Sequence, residues 1–256
     1  MTYADLEDIF DNPRVHTDTG YHRLGDGVKI SGDRVAELSM YGHNFENDDI
    51  NNEFVSNDDY PIDTNFESIS LGFDCFFILE NDGSTMWSSG LPDGLHKKLK
   101  GRQSWLPRPE IVELGKRSRH SYFIQFADGQ KQWCDVPTEL DKLLEEDEEN
   151  VDVIAIGDAD DYYVKFQDGS EHWSLPVKLS NLLNGRNGSR RGKPDLAEVA
   201  RVSLGSNNDY AVKFTDGSIN SSCGKPRYSR EFDRIKEKVG VKHVELGPGG
   251  DFVIIG

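Results

Sequence analysis

Apolar and polar residues alternate in short runs along most of this chain, and the same order of runs recurs. Five segments begin with an alternating run that ends in an apolar–glycine pair, at Gly72, Gly115, Gly157, Gly205 and Gly247. Successive glycines are 43, 42, 48 and 42 residues apart. A period of this length is typical of repeat architectures, in which each unit buries its apolar faces against its neighbours.

The residues after each of these glycines predict a hairpin. A variable loop leads into a second alternating run that starts with an aromatic residue. In four units this run is followed by Asp-Gly, at Asp82, Asp128, Asp168 and Asp216. Asp-Gly between two alternating runs is a strong hairpin signal, because glycine adopts a positive φ at little cost. We therefore predict three antiparallel strands per unit and interpret these aspartates as turn residues rather than catalytic groups.

A short helix is predicted after the third strand of a unit. Three units contain a proline followed by leucines at helical spacing: Pro92–Leu95–Leu99, Pro137–Leu140–Leu144 and Pro176–Leu179–Leu183. Proline is favoured at the start of a helix, where its missing N–H costs nothing. The fourth unit has a weaker copy of this pattern at Pro226, Phe232 and Ile235.

Units of three strands and a short helix, about 42 residues each, predict a mostly β fold, and we expect a five-bladed β-propeller. The fifth unit stops at Gly256 after its second strand, and the alternating segment Val28–Met40 has the pattern of the missing strands. Pairing between N-terminal and C-terminal strands would then close the ring. Two alternatives remain open: a six-bladed ring, if Leu24–Gly25 begins a degenerate unit, and an open repeat solenoid.

The whole chain, residues 1–256, is expected to form a single repeat domain. Residues 1–43 are the predicted closing segment, and residues 44–66 form an insertion rich in Asp and Asn. The units are predicted over residues 67–109, 110–151, 152–199, 200–240 and 241–256. The order of acidic residues in the insertion does not match a calcium-binding loop, so no metal site and no cofactor are predicted.

The repeat pattern VxLGxxxxYxVxFxDGSxxW resembles the blades of RCC1-type repeats and of other short-repeat propellers, over about Ser68 to Gly256. The resemblance implies a propeller-like fold and, as one functional expectation, a regulator of a small GTPase or of chromatin. The Pro-Leu-Leu helix is not a feature of RCC1-type repeats, and their Gly-Gly and Gly-His elements are missing here. The resemblance therefore transfers no active residue to this chain.

Charge excludes one class of function. The chain has 29 Lys and Arg against 46 Asp and Glu, a formal charge of −17, so it lacks the global positive field of proteins that coat nucleic acid.

No apolar run approaches the roughly 18–20 residues of a membrane helix, and the acidic N-terminus does not resemble a signal peptide. We therefore expect a cytoplasmic protein, with the nucleus as the alternative, and no membrane partner. The three cysteines form no CxxC pair and are expected to be reduced thiols.

The loops between the first and second strands are the predicted partner-binding surface. They emerge on one face of any ring, and they vary in charge while the strands repeat, which is the usual arrangement of function on a rigid scaffold. We therefore predict a non-enzymatic scaffold that binds a protein partner through this face. Its candidate residues are Lys116, Arg117, Arg119, His120, Asp158, Asp160, Asp161, Asn207, Asn208 and Asp209.

A tryptophan recurs once per unit at Trp87, Trp133 and Trp173. We interpret these residues as packing between adjacent units, and the alternative is a propeller lectin that stacks one sugar ring on each indole. Motifs of common enzyme classes, such as GxSxG, a P-loop, GxGxxG or HExxH, do not occur in the sequence. We therefore expect no catalytic residues.

Basic residues cluster in two places despite the net negative charge. The first cluster contains Lys97, Lys98, Lys100, Arg102 and Arg108. The second lies in residues 184–194, where Gly and Asn indicate an exposed loop. We interpret the second cluster as a solubilising linker, and the alternative is a contact with an anionic partner.

Overall fold

A computed structural model describes residues 66–73, 75–88, 90–100, 102–103, 105–187, 197–223, 241–248 and 252–255. Several predictions fall outside these residues: the closing segment Val28–Met40, nearly all of the insertion, and the weak helix of the fourth unit. They therefore stay predictions.

Four three-stranded antiparallel sheets and one two-stranded sheet make up most of the described structure, which confirms a mostly β chain. The four larger sheets contain β1 (Phe66–Gly72), β2 (Cys75–Glu80) and β3 (Thr85–Trp87); β4 (Pro109–Leu114), β5 (Tyr122–Phe126) and β6 (Lys131–Cys134); β7 (Val151–Ile156), β8 (Tyr162–Phe166) and β9 (Glu171–Ser174); and β10 (Val199–Leu204), β11 (Tyr210–Phe214) and β12 (Ile219–Ser222). The last sheet pairs β13 (His243–Leu246) with β14 (Phe252–Ile255). Strands in each sheet lie side by side in chain order, because short hairpin loops connect them.

The Asp-Gly segments form the turns between second and third strands, as predicted. In the third unit Gly169 has φ +88°, and its N–H donates to the carbonyl of Phe166 at 3.0 Å. The Asp168 carboxylate accepts the backbone N–H of Ser170 at 2.8 Å. The other three turns have the same positive φ at Gly83, Gly129 and Gly217. The aspartates therefore serve the turn, through hydrogen bonds to their own backbone.

The Pro-Leu-Leu segments form the helices α1 (Asp93–Leu99), α2 (Thr138–Glu146) and α3 (Val177–Asn187), which confirms that prediction. Pro92 and Pro137 directly precede the first two helices. The leucines of each helix are buried between the sheet that precedes the helix and the sheet that follows it. Each helix thus packs in the gap between two sheets.

Apolar clusters join each described sheet to the next. In the first of them, Phe77 of β2 and Leu95 of α1 pack with Ile124 of β5. Equivalent clusters join the second sheet to the third and the third to the fourth. The fourth sheet packs on the fifth through Ala211 and Val244, and the fifth packs on the first through Val253.

The strands are buried more deeply than their alternating pattern predicted. We expect one apolar face on each strand, but every side chain of β5 is buried, polar ones included, and in β7 only that of Asp152 is exposed. The reason is that each sheet lies between two others, so that both of its faces are covered. Gln125 of β5 shows how a polar side chain is accommodated: its amide bonds both the N–H and the carbonyl of Val151 in the next sheet, at 2.8 and 3.2 Å.

The first strands of the five sheets contact one another in chain order. β1 contacts β4, β4 contacts β7, β7 contacts β10 and β10 contacts β13. β13 also contacts β1. Small antiparallel sheets that radiate from a set of adjacent first strands are consistent with a propeller-like fold.

Candidate interaction face

The loops between first and second strands form a connected surface, which we call the loop face. We define it by the exposed or half-buried residues Arg117, Ser118, Arg119, His120, Asp135, Asp158, Asp160, Asp161, Asn207 and Asn208. Arg117 lies 3.3 Å from the Asp160 carboxylate of the next loop. Asp158 in turn accepts the backbone N–H of Asn207 from the loop after that, at 2.9 Å. Neighbouring loops therefore hold each other in place.

Each loop starts at a glycine because the chain folds back tightly there. A Cβ atom on Gly115 would lie only 2.5 Å from the Cβ of Ser121 and 3.1 Å from Ile156. A Cβ atom on Gly157 would lie 2.9 Å from the Cβ of Asp161. The backbone N–H of Gly115 donates to the carbonyl of Ser121, and that of Gly157 donates to the carbonyl of Asp161, both at 2.9 Å. The recurring glycine is thus required by close approach, and it fixes the base of the loop.

Asp135, which the sequence analysis did not select, completes the basic loop of the second unit. It follows β6 with a positive φ of 49°, and its carboxylate lies 3.8 Å from Arg117. It also accepts a hydrogen bond from the Ser118 hydroxyl. The end of the third strand therefore contributes to the same face as the loop after the first strand, because both strands run in the same direction.

Lys116 requires a correction. The sequence placed it on the exposed surface, but its side chain is completely buried. Its Nζ donates to Glu113 at 2.9 Å, to Glu245 at 2.8 Å and to the Leu114 carbonyl at 2.8 Å. All three protons of the ammonium group therefore have acceptors. Lys116 lies beneath the loop face and is not available to a partner.

The buried network around Lys116 extends across the first strands. Ser70 of β1 donates to Glu113 at 3.2 Å and accepts the N–H of Leu114 at 2.7 Å. On another pair of strands, Ser203 accepts the N–H of Leu246 at 2.8 Å. Each of these side chains lies two residues before its glycine. Polar groups at this position therefore bond to the backbone of the next sheet and fix the spacing of the units.

Burial shifts the pKa values within this network. The pKa of Glu113 is raised to about 7, because loss of solvent outweighs the attraction of Lys116 and because Glu245 adds repulsion. Burial opposes the charge on Lys116, but the two carboxylates that it bonds raise its pKa above the ordinary value. At neutral pH the ammonium group is thus charged, while Glu113 is close to its titration midpoint.

The acidic part of the loop face is partly desolvated. The pKa of Asp161 is raised, first by burial and then by the nearby charges of Asp158 and Asp160. The Asp160 side chain is itself 87% exposed. Its carboxylate, although paired with Arg117, is therefore still open to a cation on another molecule.

The remaining predicted residues divide into exposed and buried groups. Arg119 and His120 are exposed beside Arg117. Asn207 and Asn208 are exposed at the tip of the fourth loop, with φ of 59° and 65°. Asparagine tolerates this left-handed region better than other residues that have a side chain. Asp209, in contrast, is buried at the base of its loop, where its carbonyl accepts the N–H of Gly205.

The recurring tryptophans are half-buried against the core. The ring of Trp87 stacks on Phe77 with centroids 6.4 Å apart, and Trp173 stacks on Tyr163 at 6.2 Å. Trp133 packs against the core between the second and third sheets, and its Nε1 donates to Asp141 of α2 at 2.7 Å. One face or edge of each ring is therefore already in contact with the protein.

Neither a metal-binding cluster nor a membrane-spanning helix occurs in the described part of the chain. Within those residues, no group of three or more His, Cys, Asp or Glu side chains is placed to hold a metal ion. Among the helices described above, none has the length and apolar character needed to cross a bilayer.

Comparisons with known proteins find similar chains among solved structures alone. No protein-family model matches the chain, and a search of curated proteins found no match. Among solved structures it is similar to Prp20p from Saccharomyces cerevisiae, described with its binding properties to Gsp1p and histones. The identity is 13%, the TM-score is 0.33, and the match covers 77% of this chain and 57% of that chain. The chain thus spans less than two thirds of Prp20p. A likeness of this size leaves function to be argued from the residues themselves.

Proposed function

We propose that this chain is a non-enzymatic, propeller-like scaffold that binds another protein through the loop face. One observation carries the proposal: the loops of three successive units are tied together by Arg117–Asp160 and Asp158–Asn207, and charged side chains beside them are exposed. A surface that is fixed before binding loses little conformational entropy when a partner docks. Its location is proposed to be cytoplasmic, with the nucleus as the alternative.

The ring that presents this face is proposed to have five blades and to be closed. The contact of β13 with β1 and the packing of Val253 on the first sheet support closure. In this proposal the N-terminal segment Val28–Met40 adds the missing strands to the last blade. A closed ring holds its loops at fixed separations, because each sheet is braced on both sides.

A protein partner fits the charge pattern better than a polyanion does. Arg119 and His120 lie exposed in one loop, and the exposed Asp160 belongs to the adjacent loop. A nucleic acid would be attracted to the first loop and repelled by the second. A protein surface with charges of both signs can complement both loops, and such complementarity provides specificity.

The lectin alternative receives less support. A sugar-stacking site needs an exposed aromatic face, whereas Trp87 and Trp173 are half-buried and stack on core residues. A regulator of a small GTPase or of chromatin remains compatible with the proposed function, as a more specific form of protein binding. A nucleotide-release assay on the GTPase partner would distinguish it from a passive scaffold.

The proposal is tested by affinity capture from the native source, followed by mass spectrometry. Two single variants alter the loop face: Arg119→Glu and Asp160→Lys. Each has a control with the same change of charge at an exposed helix residue: Lys178→Glu for the first and Glu139→Lys for the second. We expect the captured protein to be lost with both loop-face variants and retained with both controls.

Thermal unfolding of all four variants provides the check on folding. Since the substituted side chains are exposed, melting temperatures should stay close to that of the unmodified chain. Capture of the same protein by all four variants at unchanged melting temperature would remove the loop face from consideration.

A further inference from the structure

The connection from α1 to β4 is held in a defined shape by Arg102. Its Nε donates to the carbonyl of Pro107 at 2.9 Å, and its guanidinium lies 4.0 Å above the ring of Phe126. The backbone adds two bonds, from Arg102 N–H to Leu99 and from Leu106 N–H to Gln103. The guanidinium of Arg102 is thus already engaged by the carbonyl of Pro107 and the ring of Phe126, and it is not available to a ligand.

The closed loop presents Trp105 to solvent. This indole is 77% exposed, which makes it the most exposed large apolar side chain among the described residues. The three recurring tryptophans, in contrast, are half-buried against the core. An exposed tryptophan on an ordered loop is unusual, because tryptophan is highly buried on average. Tryptophan is also enriched at binding surfaces, so its exposure here points to a contact with another molecule.

Four cations lie close to this tryptophan in the sequence. Lys97, Lys98 and Lys100 are exposed at the end of α1, and Arg108 is exposed at the start of β4. We call these four residues together with Trp105 the Trp105 patch. In a chain with a formal charge of −17, four exposed cations so close in sequence to one exposed indole form a local excess of positive charge.

Arg108 of the Trp105 patch lies at the opposite end of the strands from the loop face. The carbonyl of Arg108 accepts the N–H of Ala127 at 2.9 Å, at the turn between β5 and β6. A Cβ atom on Gly83, in the turn between β2 and β3, would meet the Arg108 side chain. These turns are at the other end of the strands from the loops of the loop face, so the two surfaces cannot share one contact.

An acidic segment lies beyond the same turn. Glu145, Glu146, Glu148 and Glu149 are exposed after α2. Lys131 holds this segment in place by donating to the carbonyls of Asp147 and Glu149 at 2.8 and 2.7 Å. The turn between β5 and β6 therefore has Arg108 of the Trp105 patch on one side and the acidic segment on the other.

This arrangement selects among anionic ligands. A membrane or a long nucleic acid is anionic over its whole extent, and it would meet the carboxylates as well as the cations. A short acidic segment of a protein can pair with the cations alone. An apolar residue within that segment would cover the indole and supply the central contact of an interface.

We propose that the Trp105 patch binds an acidic segment of a partner protein, in which Asp or Glu residues flank an apolar side chain. The carboxylates of the segment pair with Lys97, Lys98, Lys100 and Arg108, and the apolar side chain packs on Trp105. This surface is separate from the loop face, so the protein would engage two partners or two parts of one partner from opposite sides.

The proposal is tested by fluorescence anisotropy with the full-length protein and a labelled synthetic peptide of Asp and Glu around one Phe. Trp105→Ala and the double variant Lys97→Glu/Lys98→Glu should each weaken binding by roughly ten-fold or more. Binding should also weaken as salt is added, since exposed charges are screened. A second peptide, with Asn and Gln in place of the acidic residues, should not bind.

Matched controls separate this surface from general effects. Val177 is 75% exposed on α3, so Val177→Ala removes an exposed apolar side chain elsewhere, and Lys178→Glu reverses a neighbouring exposed charge. Neither should change peptide affinity, and the loop-face variant Arg119→Glu should not change it either. The exposed position of Trp105 predicts that Trp105→Ala melts at the temperature of the unmodified chain.

Three outcomes would overturn the proposal. The acidic peptide does not bind, or it binds with the same affinity to Trp105→Ala and to the lysine variant. The third outcome is that a single-stranded oligonucleotide or phosphatidylserine vesicles bind more tightly than the peptide through Trp105. That result would assign the patch to a different class of ligand.

Discussion

Lys116 and Glu245 form a buried ion pair of 2.8 Å between residues 129 positions apart in the sequence. The pair joins the second unit to the fifth, and through Glu113 and Ser70 it is connected to the first unit as well. A buried ammonium group is stable only where several acceptors replace its water, and this one has three. The pair therefore ties the two ends of the described structure together beneath the loop face.

Removing the Lys116 cation alone should lower the free energy of unfolding more than removing the cation together with both carboxylates. Lys116→Met leaves two carboxylates buried without their partner, and we expect a loss of about 3–5 kcal/mol in the free energy of unfolding. The triple variant Lys116→Met/Glu113→Gln/Glu245→Gln should lose less than the single one, because it leaves neither carboxylate buried without the ammonium group. Urea denaturation monitored by tryptophan fluorescence measures both. A triple variant as unstable as the sum of its single substitutions would contradict the coupling.

Glu113 should give a pH dependence of the opposite sign to that of an ordinary ion-paired carboxylate. Its pKa is raised from 4.5 to about 7, so between these values the folded state binds more protons than the unfolded state. The free energy of unfolding contributed by this group therefore falls as the pH rises through that window. Urea denaturation at several pH values should show the unmodified chain losing stability relative to Glu113→Gln as the pH increases.

His243 and Lys116 change the free energy of unfolding in other pH ranges. Burial and the neighbouring Arg201 lower the pKa of His243 well below its usual value, so its contribution is lost as the pH falls below about 6.5. The pKa of Lys116 is raised, so titration of this group changes the stability only in alkaline solution. Because both groups are present in Glu113→Gln, the difference between the two curves isolates Glu113. Parallel curves would contradict its raised pKa.

The two kinds of recurring glycine should respond differently to alanine. Gly169→Ala meets no atom within 4 Å but is held at φ +88°, and a left-handed conformation costs about 1–2 kcal/mol. Gly115→Ala should cost more, because its Cβ would overlap Ser121. Gly185→Ala, in open space within α3, serves as the control and should stabilise by up to about 1 kcal/mol. Equal effects at Gly169 and Gly115 would mean that close approach does not explain the apolar–glycine pair.

Trp173 offers a direct choice between packing and sugar binding. Its ring stacks on Tyr163 and belongs to the core between the third and fourth sheets. Trp173→Ala should therefore lower the free energy of unfolding by about 2–4 kcal/mol, while Trp173→Phe should lower it less. A lectin site predicts a small change in stability and a loss of glycan binding. Calorimetry together with a glycan array distinguishes the two.

Much of the fold followed from local patterns. The turn residues of Asp168-Gly169, the leucines of α2 and the spacing of the apolar–glycine pairs each report a local requirement, which a single segment can satisfy. Such requirements are visible in sequence because they depend on backbone geometry and on the periodicity of burial. The strands, turns and helices of the described units were predicted for this reason.

The candidate site was predicted less completely, because its key contacts join distant segments. Lys116 was assigned to the surface since it begins a basic loop, and only the approach of Glu245 explains its burial. One signal was available in the sequence: the residues two positions before the glycines include Ser70, Glu113 and Ser203, where an inward position would otherwise be apolar. Their partners, however, lie in the next unit or beyond it and cannot be read from a single repeat.

Closure of the ring is the claim on which the account rests most, and a truncation tests it most directly. Stopping the chain at Gly240 removes β13 and β14, and with them Glu245 and the contact with β1. Amide hydrogen exchange then reports the stability of each sheet separately. A closed ring predicts that protection falls throughout, including in β5, which is distant in sequence from the cut. An open array predicts that only the fourth unit loses protection, and unchanged protection in β5 of the truncated chain would contradict the closed ring.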